Sequence, residues 1–351
     1  MQKKLIALAV AGLISAPAMA QSNVTIYGVV DAGFVYGKSG DNKFRGIESG
    51  LLSASRIGLK GSEDLGNGLK AKFALEYGIG VDNGSGPSGP RQSWIGLEGG
   101  FGFVGLGRQY SPGHNYAGML SAFGGSAGFN PYLDIATSSI VNAGAGRWNN
   151  AISYKSPNFS GFDVQAMYAF GEDDDQDNDL GNRDLGTQFG IGAGYRNAGL
   201  KAAIVYHNTE GGGRSSLGTD VDDTKEWMIG AGYDFGVVDV NLTYTDVDAD
   251  GVDAKIVYLN AGVPVGAVGK VMLGYAQNKL DVSGGGDAKA KAYSLAYTHG
   301  LSKRTTAYVG YNYIDNDDVF DFTTPGVDAG VSSSGNMENV DGFAIGLNHK
   351  F

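Results

Sequence analysis

The chain has 351 residues, no cysteine, a net charge of −11, and 59 glycines beside 19 tyrosines and 16 phenylalanines. The missing cysteine excludes a disulfide framework and thiolate metal or redox chemistry, and the acidic balance argues against binding nucleic acid through its phosphates. Glycine at about 17%, more than twice the usual share, together with 42% hydrophobic residues, indicates a large β-protein, and no run after the first two dozen residues approaches the ~20 apolar residues of a spanning helix.

The first segment reads as an address. Gln2-Lys3-Lys4 is a basic start, Leu5 to Ile14 an apolar stretch too short to span a membrane, and Pro17-Ala18-Met19-Ala20 a small-x-small cleavage site. Residues 1–20 are therefore expected to be a signal peptide cut before Gln21, leaving 21–351 as a single domain. Removal of Lys3 and Lys4 makes the mature chain more acidic still.

From Val24 onward the pattern has period two over about ten residues at a time. Trp227, Ile229, Ala231, Tyr233 and Phe235 share one face, while Met228, Gly230, Gly232 and Asp234 share the other; the same alternation recurs from Phe162, Leu200 and Phe343. About sixteen such strands are expected, beginning near Val24, Ala54, Leu69, Arg91, Gly102, Arg147, Gly161, Leu185, Leu200, Lys225, Val237, Ala254, Gly269, Lys289, Lys303 and Asp341. Tight glycine or asparagine turns, as at Gly66-Asn67-Gly68 and Asn197-Ala198-Gly199, alternate with longer polar segments such as 172–183, 210–224 and 315–340. That is the rim pattern of an all-β transmembrane antiparallel β-barrel, in which every lipid-crossing strand must pair on both sides.

Face polarity agrees with a membrane setting. Tyr36, Tyr77, Tyr168, Phe170, Tyr195, Tyr206, Phe235, Tyr244 and Tyr297 lie near strand ends on the apolar face, where aromatic girdles form. Asp31, Arg56, Lys60, Glu76, Gln165, Lys201, Asp239 and Asn241 fall on the other face, which would line a wet lumen. The last strand alternates to the terminal Phe351.

The longest stretch without strand alternation is 109–146, and its composition is small and apolar, with Asp134 its only full charge and His114 near its start. A surface loop would be more polar, so this one is expected to fold into the lumen. Three other motifs carry no chemistry. Gly100-Phe101-Gly102-Phe103-Val104-Gly105 joins two strands rather than opening a helix, and Gly124-Gly125-Ser126-Ala127-Gly128 lacks the strand-to-helix setting of a nucleophile elbow. Asp246-Val247-Asp248-Ala249-Asp250-Gly251 opens like a calcium loop but has Val257 in place of the closing glutamate. The acidic runs at 172–175, 220–223 and 315–318 read as solvated loops, with sharing of divalent cations with lipopolysaccharide as the sharper alternative.

Several motifs in order carry a family resemblance. The run Ser55-Arg56-Ile57-Gly58-Leu59-Lys60-Gly61-Ser62-Glu63-Asp64-Leu65-Gly66-Asn67-Gly68 resembles the signature of Gram-negative general porins of the betaproteobacterial and neisserial type. So do Val24-Thr25-Ile26-Tyr27-Gly28-Val29-Val30-Asp31, Leu106-Gly107-Arg108-Gln109, Ile152-Ser153-Tyr154-Lys155-Ser156-Pro157 and the terminal Phe351. The resemblance implies a homotrimer of 16-strand barrels among the lipids and lipopolysaccharide of the bacterial outer membrane, each narrowed by an infolded third loop. It also implies that the terminal aromatic is read by the barrel-assembly machinery. By motif position Arg56, Arg91 and Arg147 match the family's basic wall, with Arg108 at an ambiguous parity; period two places Arg147 with Asn149, Ser153 and Lys155. The third loop departs from the family in offering only Asp134 where several acids are usual.

The expected function is a passive diffusion channel for ions and small hydrophilic solutes, weakly anion-selective, with no enzymatic chemistry and no cofactor. A substrate-selective channel would need a lumenal run of aromatics, for which Tyr27 and Tyr308 are the candidates, and a barrel enzyme or surface adhesin is the remaining alternative. Size-graded, saturable or absent solute uptake separates the three.

Overall fold

The computed structural model describes residues 23–138, 146–171, 186–210, 213–214, 220–221, 223–249, 251–283, 286–316 and 339–351. The expected leader and most of the acidic runs lie outside them. In chain order the strands begin with β1 Asn23–Ser39, β2 Asn42–Ser49, β3 Arg56–Gly66, β4 Leu69–Gly78, β5 Ser88–Gly99 and β6 Gly102–Tyr110. Two short helices follow, α1 Pro112–Met119 and α2 Pro131–Asp134. The sheet then resumes with β7 Arg147–Lys155, β8 Phe162–Ala169, β9 Gln188–Asn197 and β10 Leu200–Thr209. A two-residue hairpin, β11 Gly213–Arg214 and β12 Asp220–Val221, stands outside the main sheet. The last seven strands are β13 Thr224–Asp234, β14 Asp239–Ala249, β15 Val252–Val265, β16 Gly269–Val282, β17 Gly286–Gly300, β18 Thr305–Asn316 and β19 Val340–Lys350.

Within the main sheet each strand pairs antiparallel with the next around the ring, and β19 closes it on β1 from Val29↔Lys350 to Ser39↔Val340. Closure joins the first and last staves, which a lipid-crossing sheet requires, while β2, among the described residues, pairs with β1 alone. β2 and β3 share one place in the ring: β2 covers Ala32–Ser39 of β1 and β3 covers Asn23–Val29. The barrel therefore has sixteen staves. Period two reveals the lower half of the second stave but not β2, because residues 50–55 interrupt the strand after Gly50, whose φ of +84° suits only glycine.

Outward side chains are apolar and exposed, among them Ile204, Trp227, Ile229, Leu242, Leu259, Leu295 and Ile345. Inward positions carry the polar groups expected there, but many are covered: Asp31, Asn241, Asn260, Asn278 and Asn312 are buried. What covers several of them is the third loop. Tyr116, Leu120, Phe123, Phe129, Tyr132 and Ile135 pack against Val205, Met228, Ile256, Tyr258, Ala276, Ala292 and Ile314 of the inner wall. Wall glycines make the room: a Cβ on Gly194 would collide with the Tyr116 ring, one on Gly230 with Leu120 and one on Gly310 with Phe129. Part of the glycine excess thus serves close approach of loop to wall, beside the glycines that form turns.

The first four residues of the run that opens like a calcium loop, Asp246 to Ala249, are the end of β14, with Asp246 accepting from Tyr244 at 3.0 Å. The fingerprint-like run spans the β5–β6 turn and the first residues of β6.

Candidate functional site

Four strands bring one charged cluster to the inner wall. Glu76 on β4 accepts from Arg91 Nε at 2.8 Å and from Tyr27 Oη at 3.0 Å, with Arg56 Nε at 3.5 Å. Register explains the meeting of β1, β3 and β4: Gly58, opposite Glu76, has no side chain, so the Tyr27 ring lies across it. Arg91 would face outward by simple alternation, but register shifts beside Glu76 and Tyr77 turn it inward.

Tyr110, the last residue of β6, joins the cluster to the loop. Its hydroxyl accepts from Arg91 at 3.1 Å and from Arg147 at 3.3 Å, the Arg147 guanidinium lies 4.9 Å from its ring centroid, and His114 stacks on it at 4.2 Å. Burial, and then the charges of Arg147 and Arg91, push the His114 imidazole down to about 4. Two guanidiniums on one carboxylate, with a third joined to them through Tyr110, leave a surplus of positive charge in this cluster.

Arg108 stands apart. It shares the parity of the exposed Leu106, and its guanidinium bonds the Pro90 carbonyl at 2.6 Å, the Arg147 carbonyl at 3.3 Å and the Asn149 side chain. Period-two counting fails around it because Asn150 has φ +45°, so the alternation that joins Asn149 to Ser153 breaks and Trp148 is buried beside Met167 and His207.

The third loop is tied to the wall along its length. Gly113 N donates to His207 Nε2 at 3.1 Å, Tyr116 Oη to Asp163 Oδ2 at 2.9 Å and Ala122 N to Asn260 Oδ1 at 2.7 Å. Further on, Asn278 donates to the Ile135 carbonyl at 2.8 Å and Asn312 to the Gly128 carbonyl at 2.8 Å. These contacts run from β8 round to β18, so the arginine wall on β3, β5 and the start of β7 is left free of the loop's anchoring contacts. Asp134 does not project from the loop: it is 4% exposed and accepts from Asn312 Nδ2 at 3.1 Å. The loop residues that do keep exposure, including Asn115, Gly118, Met119, Gly125 and Leu133, are uncharged.

Residues 50–55 couple loop and wall. Asp31, fully buried, accepts from Leu52 N at 3.4 Å, Ser53 N at 3.1 Å, Tyr308 Oη at 2.8 Å and Asn348 Nδ2 at 2.7 Å. The turn so held offers the Leu51 carbonyl to Gly128 N at 2.8 Å and Ser126 Oγ at 2.9 Å. On its other side Ser53 Oγ and the Ala54 carbonyl accept from Arg56 Nη1 at 3.2 and 2.8 Å. Period two finds Asp31 and Glu76 on the inner face, with Arg56 and Tyr27 beside Glu76, but not the links made by Tyr110 and Leu51, which sit at strand breaks. Tyr308 is buried with its hydroxyl on Asp31, and the Tyr27 hydroxyl is held by Glu76.

At the barrel seam Phe351 exchanges two backbone hydrogen bonds with Gly28, each 3.2 Å, and its ring occupies the space where a Gly28 Cβ would stand.

Comparison with known proteins places these features in a family. A family model described as Gram-negative porin matches residues 7–319. Outer membrane porin protein 32 of Delftia acidovorans is 38% identical over 100% of both chains, and an outer membrane porin protein of Bordetella pertussis is 30% identical over 90% of this chain and 95% of that one. The solved structure of an anion-selective porin from Comamonas acidovorans is similar with a TM-score of 0.78 at 32% identity, over 94% of this chain and 100% of that one. OmpT of Vibrio cholerae, solved in a trimer form, shares the fold with a TM-score of 0.67 at 18% identity, over 94% of this chain and 99% of that one. A closed sixteen-stave barrel with its third loop drawn inward, matched over nearly its whole length by such relatives, is a member of the Gram-negative porin family, a non-enzymatic channel of the bacterial outer membrane.

Proposed function

We propose that this porin is a general diffusion channel with a bias toward anions. The observation that carries the reading is the wall of Arg56, Arg91 and Arg147 around a single Glu76, beside a loop whose one carboxylate, Asp134, is buried against Asn312. Charges in a narrow, low-dielectric passage act on ions at close range, whereas acids in the outer loops are screened within about 8 Å at physiological salt. The similar Comamonas acidovorans protein is described as anion-selective, which supports the same sign here. Arg108, on the parity of the outward Leu106 and bonded to the Pro90 and Arg147 carbonyls, helps frame this wall, and His114 is neutral above about pH 4.

The same reading takes residues 1–20 as an export signal, Phe351 as the mark read during barrel assembly, and a homotrimer as the working form. The loop between β4 and β5 supports the last point. Residues 81–90 are exposed throughout, and a Gly80 N to Ser85 O bond of 3.1 Å pins their base, so they project as an arm able to reach a neighbour.

Uptake into proteoliposomes tests the reading, with a neutral sugar, an organic anion and an organic cation of matched size. Entry that falls with solute size, does not saturate and is fastest for the anion is expected. Saturable entry of one solute class would favour a substrate-selective channel, and fastest entry of the cation would contradict the bias.

A further inference from the structure

On the outer surface, away from the lumen, β15, β16 and β17 carry two charged rows of a single sign each. Lys255, Lys279 and Lys289 lie side by side in register, and Asp253, Asp281 and Asp287 form the next row toward the rim. Like charges directly opposite one another on a sheet are unfavourable, and an alternating arrangement would have cost nothing in hydrogen bonding. Among the described residues none of the three lysines has an ion-pair partner, whereas Lys291, two residues further along, holds Asp315 at 2.9 Å. A groove of about 500 Å³ opens along the two rows.

Its depth in the barrel is informative. The termini and the tight turns at 66–69, 197–200 and 300–305 share one end, so the lysines, beside the 249–252 and 282–286 connections, are at the end of the longer loops, which faces outward in such barrels. Below them on the same three strands lie Tyr275, Tyr293, Leu259, Leu273 and Leu295, lining a second, apolar groove of about 490 Å³. Lys279 stands four residues beyond Tyr275, about 10 Å higher at the usual rise and tilt of a barrel strand. Three cations at headgroup height above an apolar groove fit a molecule with phosphates above and acyl chains below.

We infer that the outer face of β15 to β17 binds a phosphorylated glycolipid of the outer leaflet, with Lys255, Lys279 and Lys289 on its phosphates and a chain in the Leu259–Tyr293 groove. A free phosphate would meet the same lysines but gain nothing from the groove below. The patch lies outside the channel lining, so it stands whatever the channel's ion selectivity.

Native mass spectrometry of the full-length porin in detergent, stripped of endogenous lipid, tests this. The probes are bis-phosphorylated lipid A, the same lipid dephosphorylated, and inorganic phosphate. The parent is expected to retain lipid A through desolvation of the detergent and to keep it against millimolar phosphate. The triple variant Lys255→Gln, Lys279→Gln, Lys289→Gln should bind it roughly 100-fold more weakly, as expected from the loss of three lysines at a charged interface, while its conductance, set inside the barrel, shows that it is folded. Equal retention of the dephosphorylated lipid, unchanged binding by the triple variant, or displacement by inorganic phosphate alone would each overturn the assignment.

Discussion

On the proposed reading, Glu76 sets how large the field of the arginine wall is. It is 7% exposed and bonded by Tyr27, Arg91 and Arg56, so its charge subtracts from the arginine wall and also fixes where two of the three guanidiniums sit. His114 lies against the same wall but contributes no charge at neutral pH, because burial and the two nearby arginines hold its pKa at about 4. The sign follows: a depressed histidine is neutral above its folded pKa, so it adds positive charge only when pH falls through about 4. Parent and His114→Asn should therefore show the same ion preference between pH 8 and pH 5, and the parent should become the more anion-selective below about pH 4; divergence between pH 7 and pH 6, the ordinary histidine range, would contradict this. Arg56 is legible in the sequence because it sits in the Ser55–Gly68 run that carries the resemblance. The break at Asn150, which separates Asn149 from Ser153, is not, since a positive φ at a non-glycine residue is set by the sheet around it.

The strands are legible because each buries one face and presents the other to lipid, and a slip of one residue would reverse both. Val24, Leu69, Gly102, Arg147, Leu200 and Gly269 each begin, or nearly begin, a stave on the strength of that alternation alone. β2 escapes it because its short alternation ends in the 50–55 turn, whose shape depends on Asp31, Tyr308 and Asn348 from strands distant in sequence. The third loop is legible as an inward segment from its lack of charge. Its path is not, because that depends on wall glycines such as Gly194 and Gly310 that look like any other glycine in this chain. The last strand allows a test at this scale. Phe351→Lys keeps the backbone bonds to Gly28 but removes the ring that covers it. Surface levels of the variant, measured against the parent at equal expression, are expected to fall severalfold; equal levels would show that the terminal aromatic has no part in assembly.

At the scale of the molecule, global and local charge point in opposite directions. The chain carries −11, much of it in the acidic segments between strands, while the inner wall gathers Arg56, Arg91 and Arg147 near one carboxylate, the proposed constriction. Oligomer formation is a separate question, tested by deleting residues 83–88 of the projecting arm. The trimer should then dissociate at a lower temperature in detergent while each barrel keeps its heat-modifiable mobility; an unchanged dissociation temperature would remove the arm from the interface. The central claim is that local charge wins, and the most direct measurement is the reversal potential across a planar bilayer under a potassium chloride gradient. The account predicts an anion-selective parent, a shift toward cations in Arg56→Gln, Arg91→Gln, Arg147→Gln, and a shift the other way in Glu76→Gln, all smaller at 1 M salt, where screening acts within about 3 Å. A cation-selective parent, or a triple variant whose reversal potential does not move, would contradict it.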